Sequence, residues 1–374
     1  MQKKVLVFAV AAAMGLPAAA MADTTLYGRM NLSVDIVDNG DDTTHQLASN
    51  SSRLGVRGSE DLGNGLRGVF QIEAALQGDS GSAFGSSNLT GRNTYVGLAG
   101  AFGEVRVGKH DTPYKLATLP LNFFADTLGD MNHVTSQMGG LDKYDGVEGL
   151  VASKSGLGSF YNRNDNTLLY LSPNFDGLQF MASYTTDKRD DRSSGIANDA
   201  NAFSLAASFT QGPMYVTVAF EQLNDGSVLV DDNGDAVYAD AQAWKVGGTY
   251  QIDALTLAAM YENVDSGING VGDRDAFHLG AKYQLGQAYL MGSYTYAGES
   301  DIDDSDAQMY ALGAGYNLSR RTAVYAVFAQ ILNESGNESG ATYGFQGSGK
   351  GKGFAGADFG DNPAGFSVGV THNF

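Results

Sequence analysis

Two short stretches of the sequence contain residue types that could support catalysis or nucleotide binding. Residues 78–82 read GDSGS, like the nucleophile segment of trypsin-like proteases, but the histidine motif and the cysteines that usually accompany that segment are missing from the sequence. Residues 344–351 read GFQGSGKG, and Gly351 stands where a phosphate-binding loop needs the hydroxyl group that binds magnesium. The sequence therefore predicts no catalytic residue and no nucleotide or other cofactor.

Acidic segments and histidines are the other candidates for chemistry. The segments DDNGD (231–235) and DIDDSD (301–306) do not supply the fixed set of roughly six to eight oxygen ligands that calcium takes. The five histidines of the chain show no paired metal-binding spacing. We expect these acids to lie in solvated loops, and we predict no metal site.

Arginines in alternating polar and apolar stretches could act differently, by holding a fixed charge. Arg29 lies on the polar face of TLYGRMNLSVDI, and Arg53 and Arg57 lie on the face opposite Leu54 and Val56. Because a guanidinium group stays protonated at any working pH, these residues can form a permanently positive wall. Fixed charges of this kind select ions without making or breaking bonds.

The first 22 residues predict export from the cytoplasm. They combine Lys3 and Lys4, an apolar stretch and the sequence Ala20-Met21-Ala22, which is the pattern of a cleaved signal peptide. We therefore predict a signal peptide at 1–22 and one mature domain at 23–374. The formal charge is −19, or about −21 without the two lysines, and this charge disfavours nucleic acid as a partner.

Apolar and polar residues alternate in many stretches of the mature segment, and period two is the period of a β-strand. In GLQFMASYTT, for example, Leu178, Phe180 and Tyr184 oppose Gln179 and Ser183. The alternation predicts sixteen strands, centred near residues 30, 55, 71, 96, 106, 168, 181, 206, 218, 246, 258, 280, 292, 312, 326 and 370. An even number of strands fits a closed antiparallel barrel.

The connections between the predicted strands alternate between short turns and long polar loops. The short turns lie at 61–65, 100–103, 172–177, 210–213, 251–254, 285–287 and 317–321. The long loops lie near 38–50, 78–90, 110–158, 187–200, 224–239, 264–274, 298–305 and 332–364. This asymmetry is typical of outer-membrane barrels, which have short periplasmic turns and longer extracellular loops.

The width of such a barrel determines whether each face of a strand contacts water or lipid. With sixteen strands the interior is too wide for side chains to fill, so the polar face must line water and the apolar face must meet lipid. After the signal segment, the sequence has no run of eighteen apolar residues that would form a membrane-spanning helix. The sequence predicts an all-β transmembrane antiparallel barrel of sixteen strands in the cell outer membrane.

Three segments resemble the general diffusion porins of Gram-negative bacteria. They are SRLGVRGSEDLGNGLRGVFQIE (52–73), NTYVGLAGAFGEVRVGK (93–109) and YNRNDNTLLYLSPNFDGL (161–178), and the opening TLYGRMNLSVD and the terminal THNF are similar as well. The resemblance implies a homotrimer. It also implies that the third long loop, 110–158, folds into the lumen and narrows it.

An electric field across the narrowest part of the lumen is a further implication of the resemblance. Its basic wall is expected to contain Arg29, Arg53, Arg57, Arg92 and Arg163. The facing acids are expected on the third loop. Asp126 and Asp130 are the first candidates, and the same loop also carries Asp142, Asp145 and Glu148.

The C-terminal residues FSVGVTHNF predict a last strand that extends to the end of the chain. Phe366, Val368, Val370, His372 and Phe374 share one face of this strand. The resemblance implies that the barrel-insertion machinery reads this terminal pattern. It also implies that the first and last strands pair to close the barrel.

From these observations we predict an outer-membrane porin, not an enzyme, that admits ions and small hydrophilic solutes by passive diffusion and contacts lipid and lipopolysaccharide. The acidic net charge favours a weak preference for cations. Arginines at the narrowest point can oppose that preference, because exposed charges are screened within about 8–10 Å. Two alternatives stay open: a porin specific for a sugar, phosphate or other nutrient, and an outer-membrane enzyme or plugged receptor.

Overall fold

The fold was analysed in a computed structural model. It describes residues 23–40, 42–80, 91–136, 150–151, 160–186, 201–231, 236–268, 272–301, 303–334, 343–345 and 360–374. The predicted signal peptide at 1–22, and Asp142, Asp145 and Glu148 of the third loop, lie outside the described residues. Within the described residues, no helix is long and apolar enough to cross a membrane.

The strands form one antiparallel sheet that closes on itself. They are β1 Asp23–Asp38, β2 Thr43–Ser49, β3 Arg53–Gly63, β4 Leu66–Ala75, β5 Thr94–Gly100, β6 Gly103–Asp111, β7 Leu150–Val151, β8 Arg163–Leu171, β9 Leu178–Thr185, β10 Asn201–Gln211, β11 Met214–Asp231, β12 Ala236–Ile252, β13 Leu255–Asp265, β14 Asp273–Leu285, β15 Ala288–Ala297, β16 Ala307–Asn317, β17 Thr322–Asn333 and β18 Ala364–Asn373. Neighbours in sequence pair with each other around the wall, and β1 pairs with β18 to close it.

The eighteen strands occupy sixteen positions in the wall. Both β2 and β3 pair with β1, β2 along Leu32–Asp38 and β3 along Asp23–Arg29, so together they fill one position. The short strand β7 pairs only with the outer end of β11. The predicted sixteen-stranded antiparallel barrel is therefore confirmed. The prediction of loop throughout 38–50 was wrong, because β2 lies within that range.

The alternation of apolar and polar residues in the sequence corresponds to the alternation of outer-face and inner-face side chains in the barrel wall. In β14, Phe277 and Leu279 are exposed on the outer face, whereas His278 and Arg274 are buried on the inner face. Large apolar side chains on the outer face are exposed on many other strands, up to 66 % for Leu312 on β16. A ring of exposed apolar side chains is the surface that a barrel presents to lipid.

The turn between β3 and β4 shows how the short connections are made. Asn64 and Gly65 both take the left-handed backbone conformation, with φ of 54° and 77°. Two consecutive positive φ values match the right-handed twist of the flanking strands, and Asn-Gly is the favoured pair for them. The sequence DLGNG thus explains why this end of the hairpin is short.

Tyrosine and glycine are paired across the inner wall. Tyr27 lies directly opposite Gly55, Tyr289 opposite Gly315, and Tyr325 opposite Gly369. In each pair the tyrosine ring occupies the space that a Cβ on the glycine would need. The rings cover backbone that glycine leaves bare, which accounts for part of the unusual abundance of both residue types.

The described part of the third long loop, residues 112–136, lies inside the barrel. It begins with helix α1 Pro113–Thr118, which Thr112 caps by accepting a hydrogen bond from the Lys115 amide, and continues through the 3-10 helices η1 Leu119–Leu121 and η2 Met131–His133. Its apolar side chains pack against the inner wall. Tyr114 contacts the cluster formed by β9–β13, and Leu121 packs on Met260 of β13. Phe124 and Leu128 join a cluster on β15–β17 that also includes Val37 of β1, and Leu128 lies beside Gly365 of β18.

This packing fixes where open space can remain in the lumen. The described part of the third loop packs against the inner face of the strands from β9 to β17 and lies beside Gly365 of β18. The inner face of β1, β3, β4, β5 and β6 therefore bounds the passage on the other side. Three of the five arginines selected from the sequence, Arg29, Arg53 and Arg57, are on those strands.

Candidate constriction site

An ion pair joins the barrel wall to the third loop at the edge of the passage. Arg29 Nη1 on β1 donates to Asp126 Oδ2 over 2.8 Å, and Arg29 Nε donates to Thr371 on β18 over 3.2 Å. The Asp126 carbonyl accepts a hydrogen bond from Asn31, also on β1. Because both charged side chains are about one quarter exposed (24 % each), the pair still faces the aqueous passage.

Asp130 shapes the loop that presents Asp126. Its carboxylate accepts hydrogen bonds from the side chain of Asn122 at 2.7 Å, from the amide of Asn132 at 2.9 Å and from the amide of Asp126 at 3.1 Å. The last of these bonds holds Asp126 in a left-handed conformation, with φ of 60°. The sequence predicts Asp130 as an acid that faces the arginines, but its described hydrogen bonds are all with residues of the loop.

Arg53 and Arg92 stand beside Arg29 on the wall. Arg53 lies directly opposite Arg29 in the β1–β3 pairing, and the charged groups that act on it are Arg92, Asp126, Glu73 and Arg29. Arg92 Nε donates to Glu73 Oε1 over 2.6 Å. Among the described residues no carboxylate lies within ion-pair distance of Arg53, and Asp126 and Glu73 act on it from further away.

Glu73 is the residue of this cluster that sequence reasoning missed. It is 6 % exposed and accepts hydrogen bonds from both Arg92 and the Tyr27 hydroxyl, the latter over 2.8 Å. The available signal was strand parity, because Gln71 and Glu73 alternate with Phe70 and Ile72 and so share the polar face of β4.

Arg163 lies at the base of the third loop. Arg163 Nη2 and Lys115 Nζ both contact Asp111 Oδ1, at 3.0 and 2.8 Å, and Arg163 Nε donates to Asn93 over 2.8 Å. Burial lowers the pKa of the Lys115 ammonium, and the Asp111 carboxylate acts in the opposite direction. This cluster joins the last residue of β6, Asp111, to the first residue of β8, Arg163, which are the two strands on either side of the loop.

Arg57 lies further along β3, towards the short-turn end. Its guanidinium carbon is 5.0 Å from the centre of the Tyr27 ring, and Arg106 on β6 similarly lies 4.5 Å from the centre of the Tyr95 ring. Arg106 also forms an ion pair with Glu104 at 2.6 Å. Arg57 and Arg106 therefore extend the basic inner wall below the Arg29–Asp126 pair.

The predicted C-terminal signal lies at the seam of the barrel. Phe366, Val368 and Val370 are exposed on the outer face, and His372 Nδ1 lies 2.9 Å from Thr322 Oγ1 of β17. The backbone of Phe374 makes two hydrogen bonds with Gly28, each 3.0 Å long. A Cβ on Gly28 would overlap the Phe374 ring. These contacts describe the closure; whether the insertion machinery reads the segment stays a prediction.

No group of three or more potential metal ligands of the His, Cys, Asp and Glu types occurs within the described ranges. The charged cluster of the lumen instead pairs guanidinium groups with single carboxylates. Such an arrangement can orient dipoles and attract or repel ions.

Comparison with known proteins gives consistent matches. Residues 9–337 match a family model described as Gram-negative porin. The outer membrane porin protein 32 of Delftia acidovorans is 28 % identical over 384 residues, which cover 100 % of both chains. The solved anion-selective porin from Comamonas acidovorans has a TM-score of 0.73 at 24 % identity, covering 94 % of this chain and 99 % of that one. OmpT of Vibrio cholerae in a trimer form has a TM-score of 0.60 at 17 % identity, covering 94 % and 99 %.

Proposed function

Because the chain belongs to the Gram-negative porin family, we propose that it is an open channel for passive diffusion of ions and small hydrophilic solutes. It is an outer-membrane protein and a channel rather than an enzyme. The observation that carries the proposal is the Arg29–Asp126 pair, at 2.8 Å between wall and loop. In this proposal the described part of the third loop narrows the lumen, and Arg29 on the wall and Asp126 on the loop place fixed charges on the two sides of the passage.

The proposed selectivity of the channel is for anions. The weak cation preference expected from the net charge has no support, because Arg29 and Arg92 each have one carboxylate partner while Arg53 and Arg57 have none among the described residues. Local excess positive charge dominates over acids further away than about 8–10 Å. The related Comamonas acidovorans structure is described as an anion-selective porin, which supports the same direction.

A homotrimer is the proposed assembly, supported by the trimer form described for Vibrio cholerae OmpT. Its lipid-facing surface would contact outer-membrane lipid and lipopolysaccharide. Mass measurement by light scattering in detergent, corrected for bound detergent, tests the stoichiometry. A monomeric mass for folded protein would reject it.

Removal of residues 1–22 is the proposed maturation step. The segment combines two lysines, an apolar stretch and Ala20-Met21-Ala22. N-terminal sequencing of the protein extracted from outer membranes should begin near Asp23. A start at Met1 in the assembled protein would contradict the proposal.

Osmotic swelling of proteoliposomes tests passive diffusion directly. Vesicles containing the folded protein should swell in isotonic solutions of a neutral pentose, a hexose and a trisaccharide, at rates that fall smoothly with solute size. A single sugar with a much higher rate would favour the substrate-specific alternative. Absence of swelling with every solute, from protein that shows the heat-modifiable migration of a folded barrel, would overturn the open-channel proposal.

A further inference from the structure

One buried carboxylate contacts both the beginning and the end of the inward-folded segment of the third loop. Glu262 is on the inner face of β13 and is fully buried. Its Oε1 accepts hydrogen bonds from the Tyr114 hydroxyl at 2.5 Å and from Ser136 Oγ at 2.8 Å, and its Oε2 accepts one from the Ser136 amide at 2.7 Å. Tyr114 is in the first turn of α1, whereas Ser136 is the last residue of the described range 91–136.

Between these two contacts the segment travels around the inner wall and comes back. It leaves Tyr114 near β10, reaches Gly365 of β18 at Leu128, and returns past β14, where Arg274 Nη1 donates to the Val134 carbonyl over 3.0 Å. The segment that carries Asp126 therefore begins and ends beside the same wall residue. Both of its ends meet at Glu262.

The charge on Glu262 is balanced inside the barrel. Lys245 of β12 is fully buried, with its Nζ 3.9 Å from Glu262 Oε1 and 3.8 Å from the centre of the Tyr114 ring. Glu221 of β11 and Arg274 of β14 are the other charged groups that act on Tyr114. Burial, and then the Glu262 charge, raise the pKa of the Tyr114 hydroxyl well above its ordinary value, so it stays a donor.

We propose that Glu262 is a positioning residue that fastens both ends of the 114–136 segment to the barrel wall and thereby holds Asp126 against Arg29. A buried carboxylate is costly unless it is paired and hydrogen-bonded. Three hydrogen bonds and one ammonium group meet that requirement here, and every donor among the hydrogen bonds belongs to the loop. Loss of the Glu262 carboxylate releases both ends of the segment at once. Loss of a single apolar contact would release only one part of it. The expected effect of Glu262 variants on single-channel current rests on the proposed function as an open channel.

A cysteine reporter separates this role from general stability. The sequence contains no cysteine, and Val134 is fully buried in the returning part of the segment. A Val134→Cys variant should therefore react with a hydrophilic maleimide only when the segment leaves the wall. With Glu262→Gln added, which keeps the size but removes the charge and one acceptor oxygen, we expect the labelling rate to rise about tenfold.

Single-channel recording supplies the second readout. Glu262→Gln channels should close at lower voltage and show larger current fluctuations in the open state than the parent channel. If that variant does not fold, the double variant Tyr114→Phe with Ser136→Ala removes two donors, leaves the buried Lys245–Glu262 pair in place and should produce the same change. Tyr289→Phe is the matched control, because it deletes a lumenal hydroxyl that has no described hydrogen bond to the loop, and it should leave both readouts unchanged.

Unchanged labelling and unchanged current noise in folded Glu262→Gln and in the double variant would overturn the proposal. Failure of the proposed function gives a different pattern. In that case the parent protein would carry no current. The labelling rate would still report on Glu262, because it rises in Glu262→Gln if Glu262 positions the segment and stays constant if it does not.

Discussion

Arg29 Nη1 and Asp126 Oδ2 lie 2.8 Å apart although the two residues are separated by 97 positions in the sequence. One belongs to the first strand and the other to the third loop, so the contact forms only when the barrel is closed and the loop is inside it. The pair is the narrow point of the proposed conduction path. Each of its charges can be removed separately.

Asp126→Asn should increase the preference for anions. The substitution removes the negative partner of Arg29 and keeps its size. A unit charge about 5 Å from a passing ion changes the ion's free energy by roughly 0.8 kcal/mol in water, so we expect the anion-to-cation permeability ratio to rise about two- to fourfold. The reversal potential in a KCl gradient measures this ratio. A shift towards cation preference would contradict the assignment of Asp126.

Arg53→Gln should change the same ratio in the opposite direction and by a similar factor. Arg53 is the wall arginine beside Arg29 that has no ion pair among the described residues, although Asp126 and Glu73 act on it from further away. Arg320→Gln is the matched control, because Arg320 is an exposed residue in the short turn between β16 and β17. An equal shift in both variants would show that general surface charge, and not the constriction, sets the preference.

Glu73→Gln should destabilise the barrel and leave it able to assemble at reduced temperature. Glu73 accepts one charge-assisted hydrogen bond from Arg92 and one hydrogen bond from Tyr27. Loss of its charge should lower the free energy of unfolding by roughly 1.5–3 kcal/mol. Urea unfolding in lipid vesicles measures the change, with Glu60→Gln as the same substitution at an exposed position of β3. Equal stability of the two variants would refute a structural role for Glu73.

Deletion of Phe374 should reduce the yield of folded protein in outer membranes more than Phe374→Ala does. The deletion removes the ring and both backbone hydrogen bonds to Gly28, each worth roughly 1 kcal/mol, whereas the substitution removes the ring alone. Phe175→Ala removes an exposed aromatic ring from a short turn and should leave the yield unchanged. Normal yield after the deletion would exclude the terminal residue as part of the assembly signal.

The strands of the barrel wall could be predicted because each strand has one face in contact with lipid and the other in contact with water or with the third loop. Lipid on one face and water or loop on the other impose a period of two, and all sixteen predicted centres lie in strands. Strand β2 was missed because TTHQLAS has no apolar residue at alternate positions before Leu47. It is a strand because β1 continues past the end of β3 and offers free backbone groups to pair with.

The site was predictable only in part. Parity on the strands placed Arg29 and Arg53 on the lumenal face, because a side chain's face follows from its position in a strand. Alternation along a strand gives no information about side chains in a loop. It therefore could not distinguish Asp126, which forms an ion pair with Arg29, from Asp130, which accepts hydrogen bonds from the loop backbone. The anchoring role of Glu262 was equally hidden, because its partners Tyr114 and Ser136 are at least 126 positions away.

The reversal potential of the parent channel and of Arg53→Gln in one KCl gradient tests the account most directly. We predict a steady ohmic conductance, a parent potential on the anion-selective side, and a shift towards zero in the variant. Absence of conductance from protein that is folded and heat-modifiable would contradict the open channel. A cation-selective potential that Arg53→Gln does not change would contradict the arginine-controlled constriction.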